Sequence, residues 1–407
     1  MINNLRHFPK NTPAPAPTVK SATSHGDYAP CPRFLLQIAF LAVLAFCLAA
    51  TAQVTQAAGR VFVVNTGSAN VSAVDADSGA VLATIQVGAR PIRIVANQAG
   101  TRAYVSNFGG SSVSVIDTVN LSMVATIDVP SLPQESAITR DGTRLFVVHH
   151  PLQIVSVLDL ATNTLLRTVP IGDQNGAPGK TATDIAFTPD GRYAFVPNYS
   201  QNVLNSIDSS TYAVTAIPTG GQPRRVAITP DGNRAFVANF TGDSATAIDV
   251  RTLSTVATTP TGNASRGVAA NPNPQRHEVY VTNVKDGTIS VISTDTFAVL
   301  AEIKIGRKPW NILFNSSGSL AVASNSGSDT ISIIDTATRA VTRTIPVGDG
   351  PFFSVYNNNE SRLYVCNSGP PKTFEQGSLS IIDTSTYTVI ASPQLGLQPF
   401  TAVYVNP

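Results

Sequence analysis

Val279-Tyr280-Val281-Thr282-Asn283 is one copy of a word that recurs along nearly the whole chain. Ala103-Tyr104-Val105-Ser106-Asn107, Ala235-Phe236-Val237-Ala238-Asn239 and Leu363-Tyr364-Val365-Cys366-Asn367 are other copies, spaced by about 42 residues. Each is followed by a second word such as Val113-Ser114-Val115-Ile116-Asp117. Short β-branched and aromatic words at that period imply radial or stacked repetition of a small β-unit, not one irregular core.

Working outward from the word, each unit reads as four strands. The first follows a proline, as in Pro223-Arg224-Arg225-Val226-Ala227-Ile228. A turn follows, seen in Arg140-Asp141-Gly142, Pro189-Asp190-Gly191 and Pro230-Asp231-Gly232. Glycine there tolerates positive φ, and aspartate bonds its own backbone. The Tyr-Val-Thr-Asn word is the second strand. The Val-Ser-Val-Ile-Asp word is the third, with an alternation that predicts two distinct faces. The fourth resembles Ala301-Glu302-Ile303-Lys304-Ile305-Gly306.

Fourth strands end near Gly88, Val129, Gly172, Gly220, Gly262, Gly306, Gly348 and Gly396, which gives eight units. The first unit begins at its second strand. The chain ends on a first strand, Pro399-Phe400-Thr401-Ala402-Val403-Tyr404-Val405, with nothing after it. The two defects complement one another, so the terminal strand is expected to complete the first unit and close a ring without an unpaired edge. An open solenoid would want caps at both ends, and none is legible. The fold class is therefore an all-β, eight-bladed β-propeller of four-stranded antiparallel blades. A seven-bladed ring is the alternative, because the third unit (His149 in the Asn slot) and the sixth (Ser293 in the Asp slot) are the least regular.

These words resemble the YVTN repeat family of β-propellers over about residues 59–407. The resemblance implies an extracytoplasmic binding or scaffold role of the surface-layer or periplasmic type. It carries fold more than function, because propellers host unrelated activities.

The chain divides into a leader (1–52), a short linker (53–58) and the propeller (59–407). Within the leader, residues 34–50 are apolar, preceded by Arg33 and followed by Ala50-Thr51-Ala52. That is the pattern of a secretory signal cut after Ala52. A retained anchor is the alternative, and either places the propeller outside the cytoplasm. A lipoprotein reading through Cys47 is weak, since bulky Phe46 precedes it. Charged residues make up 13% of the chain, against about 25% in ordinary globular proteins. Residues 1–52 hold four basic residues and one acid, leaving 23 basic and 24 acidic in the remainder. Near-neutrality supplies no global field for nucleic acid or membrane. Membrane contact is expected only through an uncleaved leader, and a monomer is expected. Of Cys31, Cys47 and Cys366, only the last lies in the repeats and reads as a small strand residue.

Strand polarity places the second-to-third and fourth-to-first loops on one face of the ring. That face carries the two clearest insertions, at 173–182 and 368–377. Irregular loops on a regular scaffold are where function is usually placed. The channel mouth there is ringed by the two residues after each proline or its equivalent. Ile92, Arg93, Gln134, Glu135, Thr183, Asp184, Arg224, Arg225, Arg266, Gly267, Trp310, Asn311, Phe352, Phe353, Phe400 and Thr401 occupy those positions. Arg224, Arg225 and Arg266 form a basic sector. Trp310, Phe352, Phe353 and Phe400 form an aromatic one, and Glu135 and Asp184 a small acidic one. Arginine forks beside ring faces suit a small anionic ligand, a glycan, a partner protein's loop or, less well, single-stranded nucleic acid. The candidate ligand-binding residues are Arg93, Arg224, Arg225, Arg266, Trp310, Asn311, Phe352, Phe353 and Phe400. Packing between blades is the competing use for the rings.

Asparagine closes seven second strands and aspartate seven third strands, so both are read as turn-forming parts of the fold. Glu135, His149, His150 and Asp184 are candidates for an acid–base or metal centre, although adjacent histidines on a strand point oppositely. No metal-spacing motif, Gly-x-Ser-x-Gly word, phosphate-binding glycine loop or Cys-x-x-Cys-His site is present. No cofactor and no metal are expected. The functional expectation is an exported binding or scaffold protein. A lactonase-like hydrolase or lyase with a metal at the channel mouth, and a structural envelope component, are the alternatives.

Overall fold

A computed structural model describes residues 59–150, 152–172, 184–369 and 375–406. The leader, the linker, the 173–182 insertion and the centre of the 368–377 insertion lie outside the described residues. Every regular element described is a strand, and the strands form eight antiparallel sheets. Seven sheets have four strands, and the eighth pairs two short outer segments, Thr388–Ala391 and Gln394–Leu397, with Gln376–Asp383. The third and sixth units are complete blades, so the count is eight.

The repeat words follow from burial. Second strands such as Arg144–His149 and Arg234–Asn239 are buried from their second residue onward. Third strands such as Ser112–Asp117 are buried throughout. Fourth strands such as Val81–Gln86 are mostly exposed. The expected contrast of faces in the third strand therefore takes a different form. Both faces are covered, and Ser114 is as buried as Val113. The hydroxyl needs a partner there and has one in Asn107, whose Nδ2 donates to Ser114 Oγ at 2.9 Å and Ser112 Oγ at 3.0 Å. Asn65, Asn239, Asn283, Asn325 and Asn367 donate in the same way to polar side chains on the following third strand. The glycine closing each preceding fourth strand packs on that amide. A Cβ on Gly220 would sit 2.6 Å from Asn239 Nδ2, and one on Gly262 2.7 Å from Asn283 Nδ2. The aspartates ending the third strands accept turn N–H groups, as Asp117 does from Asn120 at 2.8 Å and Asp335 from Thr338 at 2.7 Å. Ser293 takes the same part in the sixth blade.

Hydrophobic burial falls into eight clusters, one in each cleft between neighbouring blades. Phe62, Val64, Ile85, Ile94 and Val105 join blades one and two, and Tyr280, Ile289, Ile312 and Ala323 join six and seven. The ring closes as expected. Pro399–Val405 pairs antiparallel with Arg60–Asn65, from Arg60↔Val405 to Val64↔Thr401. Across the cleft between blades eight and one, Tyr364 Oη donates to the Ala76 carbonyl at 2.9 Å, and Val61, Val63, Cys366 and Ile381 share one core.

A shared backbone feature aims the mouth residues. Arg90, Leu132, Gln222, Ala264, Lys308 and Gln398 hold φ between 48° and 60° just before their first strands. The left-handed region costs a non-glycine residue about 1 kcal/mol. Its recurrence at the same slot marks it as the bend that turns the chain from the rim into the channel wall.

Removing residues 399–407 unpairs the second strand of blade one and opens a cleft core. We expect the truncated chain to melt at least about 10 °C below the intact one or to aggregate, because the lost contacts amount to several kcal/mol of a marginal total. Thermal denaturation checks this, and an unchanged midpoint would show the terminal strand to be dispensable.

Candidate functional site

First strands begin at the loop-bearing face, where second-to-third loops bond the fourth-to-first loops. Phe108 N donates to Arg90 O at 3.0 Å and Phe240 N to Gln222 O at 3.0 Å. Just inside this rim, Arg224, Arg225, Arg266 and Phe400 line a cavity of about 60 Å³ together with Ile92, Gln134 and Glu135. Below it, Arg93, Asp184, Arg225, Asn311 and Phe353 are among the residues lining a second space of about 320 Å³. Arg225 borders both and partitions the channel.

The basic and acidic sectors are not separate, as they seemed along the chain. Arg93 Nε lies 3.0 Å from Glu135 Oε2, and Arg225 lies 3.7 Å from Glu135 and 3.6 Å from Asp184. Asp184 also accepts the Val226 N–H at 3.0 Å, covering one donor on the open inner edge of the next blade. Burial pushes the Glu135 carboxyl above its usual range, opposed by the charges of Arg93 and Arg225. The arginines interlock with the rings as well. Arg93 and Arg225 lie 5.6 and 4.9 Å from the centroid of Phe353. Phe353 packs on Phe400, Phe400 on Phe352 and Phe352 on Trp310 at centroid distances of 5.3, 5.2 and 4.7 Å. The rings thus pack on one another and still form the wall of the mouth, where Trp310, Phe352 and Phe400 stay partly exposed.

Arg266 differs from its neighbours. Its guanidinium lies 3.4 Å from the Trp310 ring centroid, and it forms no ion pair among the described residues. Its Nε and the Trp310 Nε1 are buried without a hydrogen-bond acceptor. Burial, then the charges of Arg225 and Arg224, press Arg266 down to about 9, so it remains cationic at neutral pH. A partly buried cation without a carboxylate favours an incoming anion.

Four further rim groups escaped the list of residues following each proline. Phe108, His150, Tyr199 and Phe240 are the first residues after the second strands of blades two to five. Tyr199 and Phe240 flank Arg224 at 4.3 and 4.8 Å, Phe108 lies under Arg90 at 5.3 Å, and His150 sits 6.2 Å from Phe108. The signal was available, since an aromatic or histidine follows the strand-ending residue in four consecutive units.

Of the acid–base candidates, Glu135 and Asp184 meet at Arg225, whereas His149 turns into the fold. His149 Nδ1 lies 3.0 Å from Ser131 O and Nε2 2.8 Å from Ser156 Oγ. Ser156 stands seven residues on, where the asparagines of other blades find their hydroxyl, so His149 does the work of the missing amide. Among the described residues no group of three His, Cys, Asp or Glu is placed to hold a metal ion. A larger groove of about 390 Å³ lies on the Pro-Asp-Gly face and includes Asp231, Asn273, His277 and Asp295. Its charges already have partners, His277 with Asp295 at 3.1 Å and Asp231 with Thr229 and Asn233.

Comparison with known proteins bears on this arrangement. The model of the family described as lactonase, 7-bladed beta-propeller, matches residues 133–265. Those residues span blades three to five and include Glu135, Asp184, Arg224 and Arg225. No match is found among curated protein sequences. The chain is similar in structure to the dihydro-heme d1 dehydrogenase NirN in complex with DHE, with a TM-score of 0.73 and 16% identity over 84% of this chain and 74% of that one. It is also similar to apo AztD from Citrobacter koseri (TM-score 0.62, 14% identity, 86% and 98% coverage) and to hydrazine synthase from Kuenenia stuttgartiensis (0.58, 20%, 72% and 96%). At such identities these likenesses establish the propeller fold.

Burial holds the His149 imidazole down at about 4, against an ordinary 6.5. The unfolded chain therefore takes up this proton at higher pH than the folded one. The associated stability is complete above about 6.5 and is lost as pH falls through about 4. The loss across that span amounts to on the order of 3 kcal/mol. We expect the melting temperature to fall between those two pH values, and His149→Asn, which restores the amide opposite Ser156, to flatten that fall. Parallel pH profiles for the two proteins would assign the proton to another group.

Proposed function

We propose that the protein is an exported β-propeller that binds a small anionic ligand at the loop-bearing mouth, with the aromatic wall receiving the ligand's body. The carrying observation is Arg266, a partly buried cation stacked on Trp310 with no carboxylate partner among the described residues and with a buried, unfilled Nε donor beside an unfilled indole N–H. Ring faces and guanidinium edges together suit an oxyanion attached to a flat or sugar-like group. The signal-like leader and the YVTN-type words support a periplasmic or secreted setting, where such a domain captures a ligand or a partner's acidic loop. A lactonase-type hydrolase is the second reading, favoured by the family match over residues 133–265. Turnover of lactone substrates, with and without added divalent ions, separates it from simple binding.

Trp310 is the only tryptophan in the chain, beside ten tyrosines, so fluorescence excited selectively at tryptophan reports on the mouth. Titration with a panel of carboxylates and phosphate esters should give a saturable change for at least one anion. Arg266→Gln should weaken that binding about tenfold or more while leaving the melting temperature within a few degrees. A panel without any response, or a response indifferent to Arg266→Gln, would remove the mouth from consideration.

A further inference from the structure

We infer that Glu135 is the specificity-determining residue of this mouth, and that it reads a neutral hydroxyl carried beside the ligand's oxyanion, so that the ligand is a hydroxy acid. This rests on the reading of the mouth as an anion site and adds the group that stands next to the anion.

The first ground is where Glu135 points. Pro133–Ile138 pairs with Arg144–His149, and the register slips between Pro133 and Ser136. Gln134 and Glu135 fall within that slip as a bulge, a device that re-aims side chains. On a regular strand the two would point to opposite faces. Here both line the cavity that Arg225, Arg266 and Phe400 also line.

The second ground is an unfilled acceptor. Glu135 is 6% exposed, yet its carboxylate is held by charge without a directed bond among the described residues. Arg93 Nε, at 3.0 Å, is too poorly aimed for a hydrogen bond and is itself left without an acceptor. Arg225, at 3.7 Å, stands beyond hydrogen-bond length. The adjacent Gln134 Oε1 is likewise buried with no donor among the described residues. A buried carboxylate in this state gains most from a donor placed in line with one of its oxygens.

The third ground is the charge that such a donor can carry. Arg93 and Arg225 exert the largest charge effects on Glu135, ahead of Asp184 and Arg266. Those two guanidiniums repel an ammonium brought to the carboxylate, and the partly buried setting screens them weakly. A hydroxyl supplies the hydrogen bond without the charge. The mouth thus divides its work, with Arg266 beside Trp310 for the oxyanion and Glu135 for the neighbouring hydroxyl.

The test is titration of the intact protein at pH 7.5, by tryptophan fluorescence and calorimetry, with acids paired to differ only in the hydroxyl. The pairs are mandelate (each enantiomer) against phenylacetate, and lactate against propionate. In the pair that binds, the hydroxy acid should be at least about fivefold tighter, since a hydrogen bond to a charged acceptor is among the stronger ones. Phenylglycine, with an ammonium in the same place, should bind more weakly than mandelate. Glu135→Met, shown to be folded by its melting curve, should bring the two members of the pair within about twofold of one another. If Glu135 acted only by holding Arg93 and Arg225, its loss would move both members equally and leave their ratio intact. A smaller preference in the natural protein, phenylglycine tighter than mandelate, or a ratio that survives in the folded variant would each overturn the inference and leave the anion site standing. The comparison in the natural protein decides by itself if the variant does not fold. Silence from all of these acids would overturn the inference, and silence from the phosphate esters as well would overturn the anion site.

Discussion

The amide at the end of each second strand is the interaction on which the rest of the architecture rests. A buried Asn Nδ2 bonded to two side-chain oxygens of the next strand fixes the loop between them. The glycine packed on that amide brings the preceding blade's exit to the same place. Its own N–H reaches the same oxygen in several blades, as Gly220 N does Thr246 Oγ1 at 3.2 Å. One buried polar cluster thus ties three segments together on the loop-bearing face. Removing the amide would strand two buried side-chain oxygens at a cost of about 1–3 kcal/mol each, which explains why the motif recurs so faithfully. The first strand starts just beyond this cluster, so the amide also decides where the mouth side chains are aimed.

Above that regular layer the side chains diverge, and their electrical character is collective. Glu135 and Asp184 do not balance the arginines one for one. They hold Arg93 and Arg225 in a lattice that stops short of Arg266. The aromatic band reaches from Trp310 to Phe353 and gives each guanidinium a ring to lie against, lowering the cost of gathering like charges. This combination of crowded cations, few counter-ions and polarisable walls is what an anion-binding mouth requires.

Much of the fold could be read from residues alone because its rules are local and repeated. Asp-Gly turns, strand-ending asparagines and a terminal strand lacking a successor each have a direct physical meaning. The blade count survived the irregular units because His149 and Ser293 keep the bonding pattern of the residues they replace. The mouth was legible as a set of positions but not as a network. Which arginine reaches which carboxylate depends on distances across the ring that no spacing encodes. Arg225, for instance, meets Glu135 two blades away. The Tyr199–Arg224–Phe240 sandwich was missed for a related reason, as it joins two loops and a strand start from adjacent blades.

The seam between Arg60–Asn65 and Pro399–Val405 has a temporal consequence. These segments are separated by more residues than almost any other contacting pair, so the loop-closure cost of their encounter is large and the seam is expected to form late in folding. Phe400 belongs to that final strand, next to Phe352 and Phe353. A nascent chain therefore owns stretches of finished blade but no complete mouth. The full band of rings beside the arginines comes into being only when the circle is sealed.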